Sequence, residues 1–169
     1  MNREEIKVIL VDENDIQTGM AGKLEAHEQG LLHRAVSVFI VNSRGDWILQ
    51  RRALDKYHSN GLWTNTCCTH PQKGESVFDA AKRRLMEEMG FSVSLTEIFR
   101  FIYSARYDQT WGENEYDVVF RGKYSGEVKP DPTEAEDYKW ISLDVVKKDI
   151  EANPDLYTPW FKIVLKKLK

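Results

Sequence analysis

The sequence predicts an α+β layered fold in which helices flank a mixed, mostly antiparallel sheet. Strand-like and helix-like segments follow one another without the regular alternation that parallel α/β sheets require. The segment 33–41 is almost continuously apolar, which is typical of a strand buried on both faces. The segment 77–89 instead repeats its apolar residues every fourth position, as a helix packed on one side does. Residues 1–169 are therefore expected to form one layered domain.

Three strands and one long loop are predicted in the first part of the chain. The strands are expected at 6–11, 33–41 and 47–52, and a turn at 42–46 joins the last two as a hairpin. Three glycines stand among polar residues between positions 12 and 32, which favours a loop there. Loops of this length often carry function, and this one contains His27.

The helix predicted at 77–89 has a start signal and a stop signal. Ser76 stands at the N-cap position, and Asp79 follows three residues later. Gly90 stands just past the last turn, where helices commonly end. Because residues three and four apart lie on the same face, Arg84, Glu87 and Glu88 should form a charged face available to a ligand.

The last third of the chain reads as strands followed by two helices. Strands are predicted at 98–107, 115–124 and 138–141, with 108–114 as a connecting loop. Ser142 is placed to cap a helix that runs to about residue 152. Thr158 and Pro159 open a final helix, since proline is favoured at the first helical position.

Composition limits the classes of function. A net charge of -3 gives no general basic surface, so neither nucleic acid nor an anionic membrane is an expected partner. No apolar run is long enough to span a bilayer, and the charged N-terminal residues do not resemble a targeting peptide. Cys67 and Cys68 are adjacent and cannot link distant segments, which favours a reducing, cytoplasmic location. A monomer or weak homodimer is expected.

The segment 64–71, TNTCCTHP, is the strongest indication of chemistry, because it sets the Cys68 thiol two residues from His70 just before an acidic helix. His27 and His33 lie upstream, and an ENE triplet lies at 113–115. Three imidazoles and two carboxylates are a donor set that suits Mn²⁺, Zn²⁺ or Fe²⁺. Each of these residues alone is as well explained by a solvated surface position, and the thiol alone by a cysteine nucleophile. Their joint occurrence favours a metal site.

A longer motif surrounds this segment. Thr69 to Phe91 reads T-x5-E-x7-R-R-L-x-E-E-x-G-F. This resembles the Nudix box, G-x5-E-x7-R-E-U-x-E-E-x-G-U, where U is a bulky aliphatic residue. In that family the motif forms a loop-helix-loop whose glutamates hold divalent cations against a diphosphate. Here Thr69 replaces the first glycine, and Arg84 replaces a glutamate that is a metal ligand in typical Nudix hydrolases. A guanidinium at that position would repel a metal ion and attract phosphate oxygens.

With Arg84 at that position, the chain resembles the type I isopentenyl-diphosphate isomerases, a non-hydrolytic branch of the Nudix superfamily, over about residues 6 to 160. The motifs K-x3-H, LLHRA, RRA, W-T-N-T-x-C-x-H-P and ENE occur in the family's order. The resemblance implies an enzyme of isoprenoid biosynthesis that interconverts isopentenyl and dimethylallyl diphosphate. The reaction adds a proton to an alkene and removes another through a tertiary carbocation. The implied partner is a small diphosphate substrate.

The resemblance also implies two metal positions. One divalent ion, Mn²⁺, Zn²⁺ or Mg²⁺, would be held by three histidines and two glutamates: His27, His33, His70, Glu113 and Glu115. A separate Mg²⁺ would bridge the substrate diphosphate, held by Glu88 and the backbone carbonyl of Cys68. Glu88 taken alone is as well explained as a helix-surface carboxylate paired with Arg84, an interaction worth about 0.3 to 0.5 kcal/mol.

The remaining site residues follow from the same resemblance. Cys68 and Glu115 are the two proton-transfer groups, and which is the acid and which the base stays open. Tyr103 is expected beside the glutamate, and Trp160 is expected to stabilise the carbocation by about 2 kcal/mol. Four basic residues would grip the diphosphate: Lys23, Arg52, Lys56 and Arg84. Cys67 is expected to pack in the core, Trp63 to line the pocket, and His58 to be an exposed loop residue.

Two other functions fit parts of the pattern. A Nudix pyrophosphohydrolase acting on a nucleoside or other diphosphate would release phosphate, but Arg84 then stands where that chemistry needs a metal-binding glutamate. A Nudix-fold binding or sensor module without turnover would have no need for both Cys68 and Glu115.

Overall fold

The computed structural model describes residues 6–168. Within these residues the strands are β1 Lys7–Val11, β2 Gln17–Gly22, β3 His33–Val41, β4 Asp46–Arg52, β5 Trp63–Thr64, β6 Cys67–Thr69, β7 Leu95–Arg106, β8 Gly112–Lys123 and β9 Ala135–Ser142. The α-helices are α1 Lys23–Gln29, α2 Val77–Met89, α3 Leu143–Ala152 and α4 Pro159–Leu165. A short 3-10 helix, Pro154–Leu156, precedes α4.

Strand β3 organises the sheet. It pairs in parallel with β8 along its whole length, from His33 opposite Glu115 to Val41 opposite Lys123. It also pairs antiparallel with β6 and β1, and β8 pairs antiparallel with β7. A second group of strands, β9, β4 and β5, is antiparallel and meets β3 at the β3–β4 turn. The predicted mixed, mostly antiparallel sheet is confirmed.

The helices cover both faces of the sheet, because β3 is apolar on both sides. Val36, Val38 and Ile40 pack with Leu85 and Met89 of α2. Phe39 lies on the opposite face in a second cluster, with the α4 residues Phe161 and Val164 among its members. Successive strand residues point to opposite faces, so a continuous apolar run is what a three-layer arrangement requires. The α+β layered fold class is therefore confirmed.

Helix α2 follows its sequence signals at both ends. The Ser76 side chain accepts a hydrogen bond from the backbone N–H of Asp79 at 3.1 Å. Gly90 ends the helix in the left-handed conformation with φ 76°. A Cβ at Gly90 would lie 2.6 Å from the carbonyl oxygen of Lys129, so glycine also allows a close backbone approach there. The helices predicted after Ser142 and at Pro159 are likewise confirmed.

The predicted loop at 12–32 is wrong. Its middle forms strand β2, which pairs with β1, and the helix α1, which carries His27 in its last turn. Helix α1 has seven residues, begins after Gly22 without a side-chain cap, and ends at Gly30 with φ 65°. The glycines in β2 weaken the pattern typical of a strand, and α1 lacks the capping side chain that usually marks a helix start, so neither element was predicted. The loop predicted at 108–114 is also shorter, because β8 begins at Gly112 and so includes Glu113.

No helix within the described part of the chain is both long and apolar enough to cross a lipid bilayer.

Candidate active site

A cavity of about 710 Å³ opens at one end of the parallel β3–β8 pair. Its walls hold basic, acidic, imidazole, thiol and aromatic side chains in one space. The lining residues that carry these groups include Lys23, His27, Arg52, His58, Cys68, His70, Arg84, Tyr103, Glu113, Glu115, Glu134 and Trp160.

Three imidazoles and one carboxylate converge at the wall of this cavity, where His27, His70 and Glu115 line it and His33 lies buried beside them. One ligand atom from each of His27, His33, His70 and Glu115 can be chosen so that all four lie within 4.8 Å of one another. The ring centroids of His33 and His70 are 4.9 Å apart, and those of His27 and His33 are 5.2 Å apart. His70 Nε2 lies 3.0 Å from Glu115 Oε1. We call these four residues the His/Glu cluster.

Four elements of the fold bring the His/Glu cluster together. His33 begins β3, and the parallel register sets it directly opposite Glu115 on β8. His70 follows β6, whose three residues pair with β3. His27 comes from the last turn of α1, which packs near β8. Residues far apart in sequence therefore meet because β3 is the common neighbour of β6 and β8.

The chemistry of the His/Glu cluster fits a divalent metal. His33 Nδ1 lies 2.7 Å from the carbonyl oxygen of Leu31, so this nitrogen donates and Nε2 is left with its lone pair. The Nε2 atoms of His27 and His33 are buried without a hydrogen-bond partner among the described residues. Buried polar atoms without partners are costly in a protein interior. Two such nitrogens beside a carboxylate are suitable metal ligands.

Burial sets the charge of the imidazoles. It lowers the pKa of His27 to about 2 and that of His70 to about 4, so both rings are neutral, as metal ligands must be. Burial also acts to lower the pKa of His33, but the Glu115 carboxylate outweighs it and raises that pKa. The pKa of Glu115 is lowered: burial acts to raise it, and His33 and His70 outweigh that effect.

Tyr103 holds the two glutamates of the ENE triplet on one side of β8. Its hydroxyl lies 2.7 Å from Glu113 Oε2 and 2.5 Å from Glu115 Oε2. Residues two apart on a strand point to the same face, as the sequence predicted for this pair. Burial, followed by the charge of Glu115, raises the pKa of Glu113. Glu113 lies beside the His/Glu cluster and is not one of its four members.

The two adjacent cysteines point in opposite directions. Cys67 is fully buried in the core cluster that packs under α2. Cys68 is half-buried and lines the cavity, where the Asn65 amide nitrogen lies 3.1 Å from its Sγ and the Asn65 amide oxygen 3.2 Å. Burial, and then the charge of Asp117, raises the pKa of the Cys68 thiol. The thiol is therefore protonated at neutral pH.

Basic side chains occupy another wall of the cavity. Arg84 Nε lies 2.6 Å from Glu88 Oε1, and Arg84 NH2 lies 2.6 Å from Glu134 Oε2. Lys56 reaches the same Glu134 oxygen at 2.5 Å. Gln50 Nε2 donates to the second oxygen of Glu88 at 2.6 Å. Arg84 also contacts Glu87 Oε2 at 3.1 Å, so the buried Glu88 is one of three carboxylates that contact this guanidinium.

Arg52 and Lys23 lie close to these groups. Arg52 donates to the carbonyl oxygens of His58 and Ser59, each at 3.2 Å, and so ties the loop after β4 to the cavity. Its guanidinium carbon lies 5.2 Å from the centroid of the Trp160 ring. Burial, and then the charge of Arg52, lowers the pKa of Lys23.

An aromatic wall closes the cavity beside α4. Trp160 is 4% exposed, and its ring lies 5.8 Å from that of Tyr107 and 5.9 Å from that of His58. The imidazole of His58 stacks on Tyr107 with ring centroids 4.8 Å apart and an interplanar angle of 14°. His58 therefore lines the cavity, and its expected exposure is wrong. Trp63 packs instead against Lys139, whose Nζ lies 4.0 Å from the ring centroid.

Comparison with known proteins decides the family. A model of the NUDIX domain matches residues 31–161. Isopentenyl-diphosphate Delta-isomerase 2 of Aromatoleum aromaticum is 46% identical over 95% of this chain and 85% of its own length. Isopentenyl-diphosphate Delta-isomerase of Serratia proteamaculans is 44% identical over 95% of this chain and 90% of its own. The chain belongs to the isopentenyl-diphosphate Delta-isomerase family of NUDIX-domain proteins.

Solved structures agree on the fold of this isomerase family member. A Deinococcus radiodurans protein superimposes with a TM-score of 0.81 at 17% identity, covering 96% of this chain and 98% of its own. The MutT protein of Methanosarcina mazei gives a TM-score of 0.65 at 20% identity, covering 80% of this chain and 91% of its own. At these identities the likeness concerns the fold alone.

Several residues in or next to the cavity were missed from the sequence. Glu134 follows a loop and stands outside every motif, yet it contacts both Lys56 and Arg84. The Tyr57 hydroxyl lies 3.1 Å from His27 Nδ1, on the side of the ring away from the orphan nitrogen. Asp117 continues the alternation of acidic residues that begins at Glu113, and this was the one signal in the sequence that could have revealed a further buried acid.

Proposed function

We propose that the protein interconverts isopentenyl diphosphate and dimethylallyl diphosphate by moving one double bond. The observation that carries the proposal is one cavity that joins Cys68, the His/Glu cluster and a basic wall containing Arg84. The names of relatives at 44–46% identity support the same reaction. Isoprenoid biosynthesis is the process in which such a reaction belongs.

Two proton transfers make up the reaction. The terminal alkene carbon gains a proton, and a tertiary cation forms at the neighbouring carbon. A proton then leaves the adjacent methylene, and its electron pair becomes the new double bond. We assign the two transfers to Cys68 and Glu115, which line the same cavity, without choosing which is the acid. The Tyr103 hydroxyl, 2.5 Å from Glu115 Oε2, assists the transfer at that carboxylate.

The His/Glu cluster would hold one divalent ion, and Glu113 is the proposed fifth ligand. His27, His33 and His70 offer neutral nitrogens, and Glu115 offers an oxygen. Bound there, a divalent cation supplies positive charge that fixes the Glu115 carboxylate and tunes its proton affinity. Mn²⁺, Zn²⁺ and Mg²⁺ are the candidates.

The diphosphate would bind at the basic wall. Lys23, Arg52 and Arg84 line the cavity, and Lys56 joins them through Glu134. A guanidinium group binds two oxygens of a phosphate in the same way as it binds two oxygens of a carboxylate. Arg84 would therefore replace its contacts to carboxylates with contacts to the diphosphate. Glu88 and the Cys68 carbonyl are the proposed holders of a Mg²⁺ that accompanies the diphosphate.

Trp160 would stabilise the cation without trapping it. An aromatic face attracts positive charge but offers no lone pair to form a bond, and a desolvated contact contributes about 2 kcal/mol. The Arg52 guanidinium already lies over this ring at 5.2 Å, so the ring accepts a cationic neighbour.

The same proposal includes the domain organisation, the oligomeric state, the partners and the location. Residues 1–169 form a single Nudix-like isomerase domain, acting as a monomer or weak homodimer with no nucleic-acid or membrane partner. A cytoplasmic location is supported by the two thiols, which are free.

Product analysis separates isomerisation from hydrolysis. The protein is incubated with isopentenyl diphosphate and Mg²⁺, and the mixture is followed by ¹H and ³¹P NMR. We expect the allylic methyl signals of dimethylallyl diphosphate with the diphosphate intact. Release of phosphate without allylic product would favour the pyrophosphohydrolase instead. Binding without either product would leave a sensor module.

A further inference from the structure

A row of three polar side chains runs from the cavity floor into the core. Cys68 Sγ lies 3.6 Å from Ser37 Oγ, and the Ser37 hydroxyl donates to Asp117 Oδ2 at 2.8 Å. Ser37 is 3% exposed and Asp117 is 1% exposed. The other carboxylate oxygen, Asp117 Oδ1, has no hydrogen-bond partner among the described residues.

Strand register puts these three residues next to one another. Antiparallel pairing of β3 with β6 places Ser37 opposite Cys68, and parallel pairing of β3 with β8 places Ala35 opposite Asp117. Because every second residue of a strand points to the same face, the face that carries the site residues extends along both strands into the core. On β3 that face carries His33, Ala35 and Ser37, and on β8 it carries Glu113, Glu115 and Asp117.

Stability alone gives no reason for this pair. On the same face, the next residues along the two strands are Phe39 and Val119, which are apolar and 0% exposed, so two apolar side chains would suit the position. A buried carboxyl group with an oxygen left unpaired costs free energy. Such a cost at the edge of a reactive site points to a function for the pair.

We propose that Ser37, anchored by Asp117, is a positioning residue that holds the Cys68 thiol in the orientation needed at the cavity. A serine hydroxyl has one proton, and here it is donated to Asp117. Toward Cys68 the Ser37 oxygen therefore presents lone pairs, and it is one of two acceptors within reach of the S–H group, the other being the Asn65 amide oxygen at 3.2 Å. Asn65 contacts the same sulfur at 3.1 Å, so the sulfur is held by two residues. The inference rests on the proposed role of Cys68 in isomerisation.

A double-mutant cycle in the isomerase assay tests the inference. Ser37→Ala and Asp117→Leu should each lower kcat by about 10- to 100-fold, the usual effect of a misplaced reactive group. The KM for isopentenyl diphosphate should change by no more than about twofold, because neither residue belongs to the basic wall. The double variant should be no slower than the slower single variant, since Asp117 acts through Ser37. Asp117→Asn keeps an oxygen acceptor and should restore most of kcat.

The S–H stretching band in the Raman spectrum gives a readout that does not need turnover. The Cys68 band is obtained as the difference between each protein and its Cys68→Ala derivative. Ser37→Ala should move this band, because the thiol loses an acceptor. If the unmodified protein shows no isomerase activity, the proposed function fails, and the band shift still decides the positioning role.

Thr66→Val is the matched control. Its hydroxyl is also fully buried, but its hydrogen-bond partners among the described residues are backbone groups, the N–H of Ile40 at 2.9 Å and the carbonyl of Ile48 at 3.0 Å. This variant should lose stability while keeping kcat and the Cys68 band.

The inference is overturned if Ser37→Ala keeps both the band and kcat. The inference is also overturned if the kcat losses of the two single variants add in the double variant and simply follow the fall in Tm. If Ser37→Ala does not fold, the Asp117→Leu and Asp117→Asn pair carries the same comparison.

Discussion

At the scale of single residues, the adjacent thiols show how one position along a strand separates packing from chemistry. Strand β6 turns Cys67 toward α2 and Cys68 toward the cavity, because successive strand residues face opposite ways. The two side chains are chemically identical. Their surroundings differ, and for this reason we assign only Cys68 to the proposed reaction.

Cys68→Ala should lower turnover by about 10² to 10⁴-fold, the usual contribution of a proton-transfer group. Folding, measured by circular dichroism, and metal content should stay normal, because Cys68 is half-buried and its thiol is outside the His/Glu cluster. Cys67→Ala is the control. It removes a core atom, so it should cost about 1 kcal/mol of stability and keep turnover. Near-normal turnover in Cys68→Ala would remove the thiol from the mechanism.

Sequence reasoning proposed the residues of the cavity largely through motifs. His27, His33, His70 and Glu115 do meet in the structure, as the resemblance implied. Residues outside the motifs were missed because only tertiary contacts, which the sequence does not show, bring them to the site. His58 reads as a loop residue until the fold sets it against Tyr107 and Trp160. Asp117 and Glu134 likewise acquire meaning only from tertiary contacts.

At the scale of elements, helix α2 is tied to the segment that precedes it. Glu75 accepts from Arg83 Nε at 2.7 Å and NH2 at 2.9 Å, and from the backbone N–H of Gln72 at 2.8 Å. These bonds span the turn between His70 and the helix. The first glutamate of the Nudix motif therefore ties the helix to the turn that precedes it.

The contribution of Glu75 to stability should depend on pH. The Arg83 hydrogen bonds lower the pKa of Glu75 below its ordinary value of 4.5. A carboxyl group whose folded pKa is lowered stabilises the fold above its unfolded pKa and loses that effect as pH falls through the folded pKa. Glu75→Gln should thus cost about 0.5 to 1 kcal/mol at pH 7 and progressively less below pH 4.5, in urea unfolding.

Arg83→Met should remove the same pH-dependent part, since it takes away the partner that lowers the pKa of Glu75. A stability difference between the parent and Glu75→Gln that stays constant from pH 7 to acid would contradict this account.

The elements that were predicted well are those with local signals. Helices α2 and α3 each have a serine cap whose side chain accepts from the backbone, and α4 starts at a proline. Helix α1 has no such cap, and β6 has three residues, which is too short for a periodic pattern. Both are held by tertiary pairing with other elements. Composition and periodicity along the chain could not reveal them.

At the scale of the whole molecule, basic side chains and the parallel pairing of β3 with β8 meet at the cavity. The chain has a net charge of -3, yet Lys23, Arg52 and Arg84 line the same cavity. The sequence predicted such local anion binding from motif positions. It could not supply the parallel register of β3 with β8, which brings His33 to Glu115. Long-range pairing of this kind is set by the packing of both faces.

Metal binding should stabilise the whole fold, because the His/Glu cluster joins α1, β3, β8 and the end of β6. Adding Mn²⁺ to EDTA-treated protein should raise Tm, with about 2.7 kcal/mol gained at one hundred times Kd. His70→Ala should lose most of this gain and most of the bound metal. His58→Ala should keep both, since His58 lies in the same cavity but outside the four-donor group. An equal rise in Tm for His70→Ala would contradict the assignment.

We propose above all that this NUDIX fold moves protons on the hydrocarbon part of a diphosphate substrate. Incubation with isopentenyl diphosphate and Mg²⁺ in D₂O, followed by NMR and mass spectrometry, tests it most directly. The account predicts dimethylallyl diphosphate that carries solvent deuterium, with the diphosphate intact and the signal lost in Cys68→Ala. Recovery of unlabelled isopentenyl diphosphate, with neither allylic product nor deuterium uptake, would contradict it.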